Sequence, residues 1–194
     1  MMLDHVIFAA SAYMAQVLTN LDNLAALVAL MMVSGPRRTV AGFLLAQILI
    51  IAAALLLALG VDDVVPHWAG YLGVIPLGLG VIGVIRQFRG SEIEEAPQVS
   101  SGASTVVTML LFISLSMDTF AVLAPLLADS APSYRIAGVT GAVAAALTLT
   151  MLGLLGARSP IMTGGFARRL EKLVPYVMIC AGIYILSNSW TDAI

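Results

Sequence analysis

A chain of 194 residues that is 60% hydrophobic and only 10% charged cannot clothe a water-soluble surface, for which about 25% charge is ordinary. Its formal net charge of −2 and single cysteine, Cys180, exclude a broad basic face for nucleic acid and any intramolecular disulfide or cysteine-clustered metal site. The composition fits several membrane-spanning helices of roughly 20 residues each, with no length left for a separate soluble domain.

In chain order the apolar segments run over 6–33, 40–59, 68–85, 106–127, 136–155 and 173–186. Gly, Pro and polar residues gather in the connections, at 34–38, 60–66, 86–104, 129–133 and 158–172, as turn punctuation should. The runs are too long for barrel strands and an open sheet edge is not tolerated in lipid, so the predicted fold is an all-α polytopic membrane protein with six transmembrane helices. No basic stretch precedes the first run, which therefore reads as a retained span and not as a cleavable signal. Arg37, Arg38, Arg86, Arg89, Arg158, Arg168, Arg169 and Lys172 follow the odd-numbered spans, and Arg135 alone lies on the other side. The positive-inside rule places those three loops in the cytoplasm and both termini outside a cell (inner) membrane.

The two halves resemble each other at an offset of 96 residues, which matches Asp22 to Asp118, Ala41-Gly42 to Ala137-Gly138 and Leu59-Gly60 to Leu155-Gly156. In the last pair of spans the register slips to 102, with Gly80 opposite Gly182. Three spans per half is an odd number, so the second half is inserted upside down. The expected organisation is two inverted three-helix repeats, 1–90 and 105–194, joined by a cytoplasmic loop at 91–104. Repeats of this kind place a transport site near the midplane at their interface.

Within the spans the acidic residues are Asp22 and Asp118, each costing roughly 2.5 to 3.5 kcal/mol to insert. Projected on an unbroken helix, Gln16, Thr19, Asn20, Asp22 and Asn23 occupy one stripe, and Ser114 and Asp118 stack on one face. If the two carboxylates meet across the repeat interface, repulsion and burial raise at least one apparent pKa. A divalent cation would offset both charges and protons would replace it, which is a physical basis for antiport. Asn20, Asn23 and Thr119 are the expected additional oxygen ligands. Gln16, Thr19, Gln47, Ser114, Ser116 and Met117 are expected to support the ligands or line the route. Gly73, Pro76, Gly78, Gly80, Pro125 and Gly182 are expected to break helices or let them pack closely, Pro125 freeing carbonyl oxygens upstream of it. His5 and His67 fall near span ends, and the glycines of the third span lack the strand context of a nucleotide loop. There is no serine-histidine-aspartate set or HExxH motif, so an enzyme is not expected.

Three stretches carry a family likeness: Thr19-Asn20-Leu21-Asp22-Asn23, Gly70-Tyr71-Leu72-Gly73-Val74-Ile75-Pro76-Leu77-Gly78-Leu79-Gly80, and the run from Val174-Pro175-Tyr176 to Ile185-Leu186. Through them the chain resembles the cadmium-resistance transporter family of the lysine-exporter superfamily. It departs from the family pattern at Asn23, where a second Asp is usual, and at Ser116-Met117-Asp118-Thr119, where an Asn-Asp-Asn-like segment is usual. Leu115-Ser116-Met117-Asp118-Thr119-Phe120-Ala121-Val122 is more similar to the manganese-efflux branch. The resemblance implies export of a divalent cation, with cadmium, zinc and manganese all open. No cofactor is expected, since the metal is substrate, and the partners are the cation, protons and membrane lipids, with a homodimer left open. The competing classes are an exporter of a small organic solute such as an amino acid, and a non-transport membrane scaffold.

Overall fold

The computed structural model describes residues 2–64, 71–89, 104–158 and 174–191. The linkers at 90–103 and 159–173, and His67, lie outside the described residues. Regular structure among those described is all helical. Two pairs of helices are bent at a short break: α1 (Met2–Thr19) and α2 (Leu21–Ser34) meet at 61°, and α5 (Thr105–Leu115) and α6 (Met117–Ala128) at 62°. α3 (Pro36–Val64), α4 (Val74–Phe88, preceded by a helical turn at 71–73) and α7 (Pro132–Gly156) are each long and apolar enough to cross a membrane. α8 (Val174–Thr191) is shorter in its apolar part, Met178–Ser187. The chain is thus an all-α multi-pass membrane protein whose described residues hold three helices long and apolar enough to span, or up to five spans when each bent pair counts as one.

Local chemistry explains the helix ends. Gly35, at φ +88° and ψ 147°, takes an extended positive-φ backbone that favours glycine and ends α2, and Pro36 starts α3 with a φ already suited to a helix. Ser104 caps α5 by accepting from the Val107 N–H at 3.3 Å. The last carbonyls of α6 are met by Arg135 of α7, which is buried; its Nε donates to the Leu127 oxygen at 3.0 Å and its Nη2 to that of Ala128 at 3.4 Å.

The helices present apolar side chains outward, for example Met32, Ile48, Leu56, Leu110, Leu147 and Met151, and keep Gln16, Asn20, Asn23 and Gln47 inside. That distribution is opposite to a soluble bundle and suits a solvent of lipid tails.

Packing between the halves repeats. α1 runs parallel to α7, with Gly138 against Phe8, Gly141 against the Ala9 carbonyl and the Tyr13 hydroxyl bonded to Thr148 at 3.2 Å. Its counterpart at the 96-residue offset is α5 against α3, also parallel, with Gly42 against Thr105 and Thr108 and the Phe43 and Phe112 rings edge to face at 5.0 Å. α4 and α8 cross antiparallel where Gly73 faces Gly182 and Gly80 faces Pro175 and Ile179. A Cβ on Gly141 would collide with the Ala9 carbonyl oxygen, so only glycine permits that approach.

Two expectations about helix breaks change. The fourth span bends at Ser116, and Pro125 sits in the last turn of α6, fully inside the protein. The third span is continuous from Val74 to Phe88 because Pro76 occupies the first turn, where an N–H has no intrahelical partner to lose. Gly78 has no neighbour within 4 Å of where a side chain would begin, so it contributes neither break nor close contact.

Candidate substrate site at the two helix breaks

The breaks are alike in backbone. Asn20 lies at φ −110°, ψ 16° and Ser116 at φ −100°, ψ 20°, the sparsely populated bridge region between helix and strand. Each N–H reaches back three residues, Asn20 to Val17 at 3.2 Å and Ser116 to Ile113 at 3.3 Å, the latter shared with the Phe112 carbonyl at 3.0 Å, and each carbonyl accepts from four residues on, from Leu24 and from Phe120 at 3.1 Å in both cases.

The breaks also meet. Ser116 Oγ donates to Asn20 Oδ1 at 3.3 Å, across 96 residues of sequence. Around that contact two bonds exchange places at the same offset: Asn20 Nδ2 donates to Thr119 Oγ1 at 2.7 Å, and Asn23 Nδ2 donates to Ser116 Oγ at 2.9 Å. Asn23 Nδ2 also donates to Asn20 Oδ1 at 2.7 Å, and Asn20 Nδ2 to the Gln16 carbonyl at 2.8 Å. The Thr19 and Thr119 hydroxyls are 3.0 Å apart, and Thr19 bonds back to the Ala15 carbonyl at 2.8 Å. From α3, Gln47 Nε2 donates to Asn20 Oδ1 at 3.0 Å and to Ser116 Oγ at 3.1 Å, while its Oε1 accepts from Gln16 Nε2 at 2.6 Å. All seven side chains are at most 1% exposed. A buried polar group without a partner costs about 1–3 kcal/mol, and the bonds of this cluster are what make its burial tolerable.

Residues 14–193 match the family model described as Cadmium resistance transporter. The chain belongs to the cadmium resistance transporter family. No curated protein and no solved structure matches it. Membership makes this chain a helical membrane transporter and not an enzyme.

The structure therefore brings together, in this cadmium resistance transporter family chain, Gln16, Thr19, Asn20, Asn23, Gln47, Ser116 and Thr119. Asp118 is half-buried in the first turn of α6, where its Oδ1 accepts from the Thr119 N–H at 2.8 Å and the positive end of the helix favours its charge. The backbone of Asp22 lies in α2, and its side chain is outside what is described. Ser114 is exposed and Met117 is 55% exposed, because the bend at Ser116 turns α5 and α6 so that a single helical projection across it no longer applies. Cys180 is exposed, and His5 stacks on Tyr134 with ring centroids 4.3 Å apart, near the start of α1. Among the described residues there is no group of three or more His, Cys, Asp or Glu, so the described cluster is one of neutral oxygens and amides.

Gln47 is a lone amide in an otherwise apolar span, and nothing in that span itself says that it touches both breaks. A cavity of about 300 Å³ opens where α1 begins and α6 ends, lined by Asp4, Phe8, Leu126, Asp129, Tyr134 and Tyr184 among others. Asp4 is sixteen residues from Asn20 along α1, about 24 Å at 1.5 Å per residue.

Proposed function

We propose that this protein exports a divalent metal cation across the inner membrane in exchange for protons. The observation that carries the reading is the meeting of Asn20 and Ser116 across 96 residues, with the exchanged Asn20–Thr119 and Asn23–Ser116 bonds about it. Two like breaks, facing each other and related by a sequence offset, suit an inverted-repeat transporter with its site at the repeat interface. The reading takes the six apolar segments as six spans with both termini outside. The cavity beside Asp4 and Asp129 then faces the exterior.

Asp22 and Asp118 each stand two residues beyond a break. Their two negative charges balance a divalent cation, and protons balance them after it leaves. Asn20, Asn23 and Thr119 contribute neutral oxygens. Asn20 Oδ1 accepts from Asn23, Gln47 and Ser116, so a cation takes this oxygen only when those donors withdraw. The N–H and hydroxyl donors close the site on itself between loads, and their displacement couples occupancy to the positions of α3 and the two bent spans.

Everted membrane vesicles with an imposed pH gradient test this. Uptake of at least one of Cd²⁺, Zn²⁺ or Mn²⁺ is expected, together with proton release into the medium. No movement of any of the three ions would sink the proposal.

A further inference from the structure

The two glutamines of the cluster break the repeat. At the 96-residue offset Gln16 corresponds to Phe112 and Gln47 to Val143, so the half containing α1 and α3 adds a pair of amides that the other half replaces with apolar side chains. The pair is joined by its own bond, Gln16 Nε2 to Gln47 Oε1 at 2.6 Å. Gln47 is oriented in turn, because its Nε2 donates to Asn20 Oδ1 and Ser116 Oγ. Gln16 is thereby held with its nitrogen toward Gln47. The reverse orientation would bring two amide oxygens face to face.

That leaves Gln16 Oε1 buried, on a side chain 1% exposed, with no hydrogen-bond partner. Buried acceptors are as a rule satisfied, and one that is not calls for an explanation in function or an absent ligand. Its position excludes a merely solvated role. The backbone oxygen of the same residue accepts from Asn20 Nδ2 at 2.8 Å, so Gln16 reaches the first break through both its main chain and its side chain.

We infer that Gln16 Oε1 is a direct carbonyl ligand of the transported cation, and that Gln47 is the positioning residue that aims it. The inference rests on the proposed export of a divalent cation and adds a ligand that the repeat does not predict. An amide oxygen is a hard donor and a thioether sulfur a soft one, so Gln16→Met, similar in length, changes the donor with little change of volume.

The experiment is competitive transport of Mn²⁺ and Cd²⁺ in everted vesicles by wild type, Gln16→Met, Gln16→Glu and Gln47→Leu. Gln16→Met is expected to raise the Cd²⁺-to-Mn²⁺ ratio by at least about tenfold, the low end of the cost of disturbing a metal ligand's support. Gln16→Glu, which keeps oxygen and adds charge, should shift the ratio the other way. Gln47→Leu should raise KM for both ions, and in the double variant its effect should not add to that of Gln16→Met, because the second change removes what the first misaims. A role confined to packing would move both ions together and leave the ratio within about twofold, so that result for both Gln16 variants overturns the inference; for a variant that does not fold, the other substitution at Gln16 decides. Wild-type vesicles separate the two levels: transport by wild type with an unchanged ratio in the variants refutes the ligand alone, whereas no transport of Cd²⁺, Zn²⁺ or Mn²⁺ by wild type refutes the export reading with it.

Discussion

Asn20→Ala removes the side chain at which the two halves meet. The asparagine donates to the Gln16 carbonyl and to Thr119, and accepts from Asn23, Gln47 and Ser116. At the roughly 0.6 kcal/mol that side-chain hydrogen bonds average inside membrane proteins, five bonds come to about 3 kcal/mol. The loss is softened where partners are shared, since Asn23 and Gln47 keep their bonds to Ser116 Oγ. It is sharpened at Ser116, whose buried hydroxyl loses the acceptor it donates to, and an unmet buried group costs about 1–3 kcal/mol. A destabilisation of about 2–4 kcal/mol is expected on these grounds. The control is Thr140→Ala, whose exposed hydroxyl bonds only to the Ile136 carbonyl of its own helix, at 2.7 Å, and which should cost less than about 0.5 kcal/mol. The assay is reversible unfolding in mixed micelles, followed by circular dichroism across a titration of denaturing detergent. If Asn20→Ala is no less stable than Thr140→Ala, the cluster does not hold the two bent spans together and the reasoning fails.

Asp118→Asn and Asp22→Asn should each abolish metal transport in vesicles while leaving protein levels and unfolding midpoints near wild type; normal transport by either variant removes that residue from the ion site. Gly141→Val places side-chain atoms against the Ala9 carbonyl and should cost about 1–3 kcal/mol, the usual penalty of overpacking, whereas Gly78→Ala, with open space around it, should be neutral or stabilising in the same unfolding assay. Ser104→Ala should weaken the start of α5 by about 1 kcal/mol, visible as faster amide hydrogen exchange over residues 105–108 without loss of transport.

Hydropathy made the all-α multi-pass class legible, because a backbone in lipid must satisfy its own hydrogen bonds and only a long apolar helix does so locally. The same scarcity of polar residues singles out Asp22 and Asp118 and, around them, Gln16, Thr19, Asn20, Asn23, Gln47, Ser114, Ser116 and Thr119. Where the helices break was not legible. Pro125 is the local helix breaker, yet it rests in a last turn, and the bend falls at Ser116. The reason is that a break is stable where side chains from other spans meet the polar groups it disturbs, and those partners, Asn20, Asn23 and Gln47, are distant in sequence. The same holds for facing: Ser114 and Met117 turn outward because the bend resets the helical phase, which no periodicity computed on one straight helix contains.

By itself, then, the sequence determined what is cheap to decide locally: which segments enter lipid, where Gly35 and Pro36 close one helix and open another, and which polar residues are costly enough in the membrane to need a reason. Only the tertiary structure decided how those residues are spent. It joined the breaks at Asn20 and Ser116, brought Gln47 from a neighbouring span onto both, and left Gln16 Oε1 buried and unbonded. Hydrogen bonds between side chains depend on angle and on distances of about 3 Å, and the relative placement of separate helices, which sets both, is a property of their packing and not of any one segment.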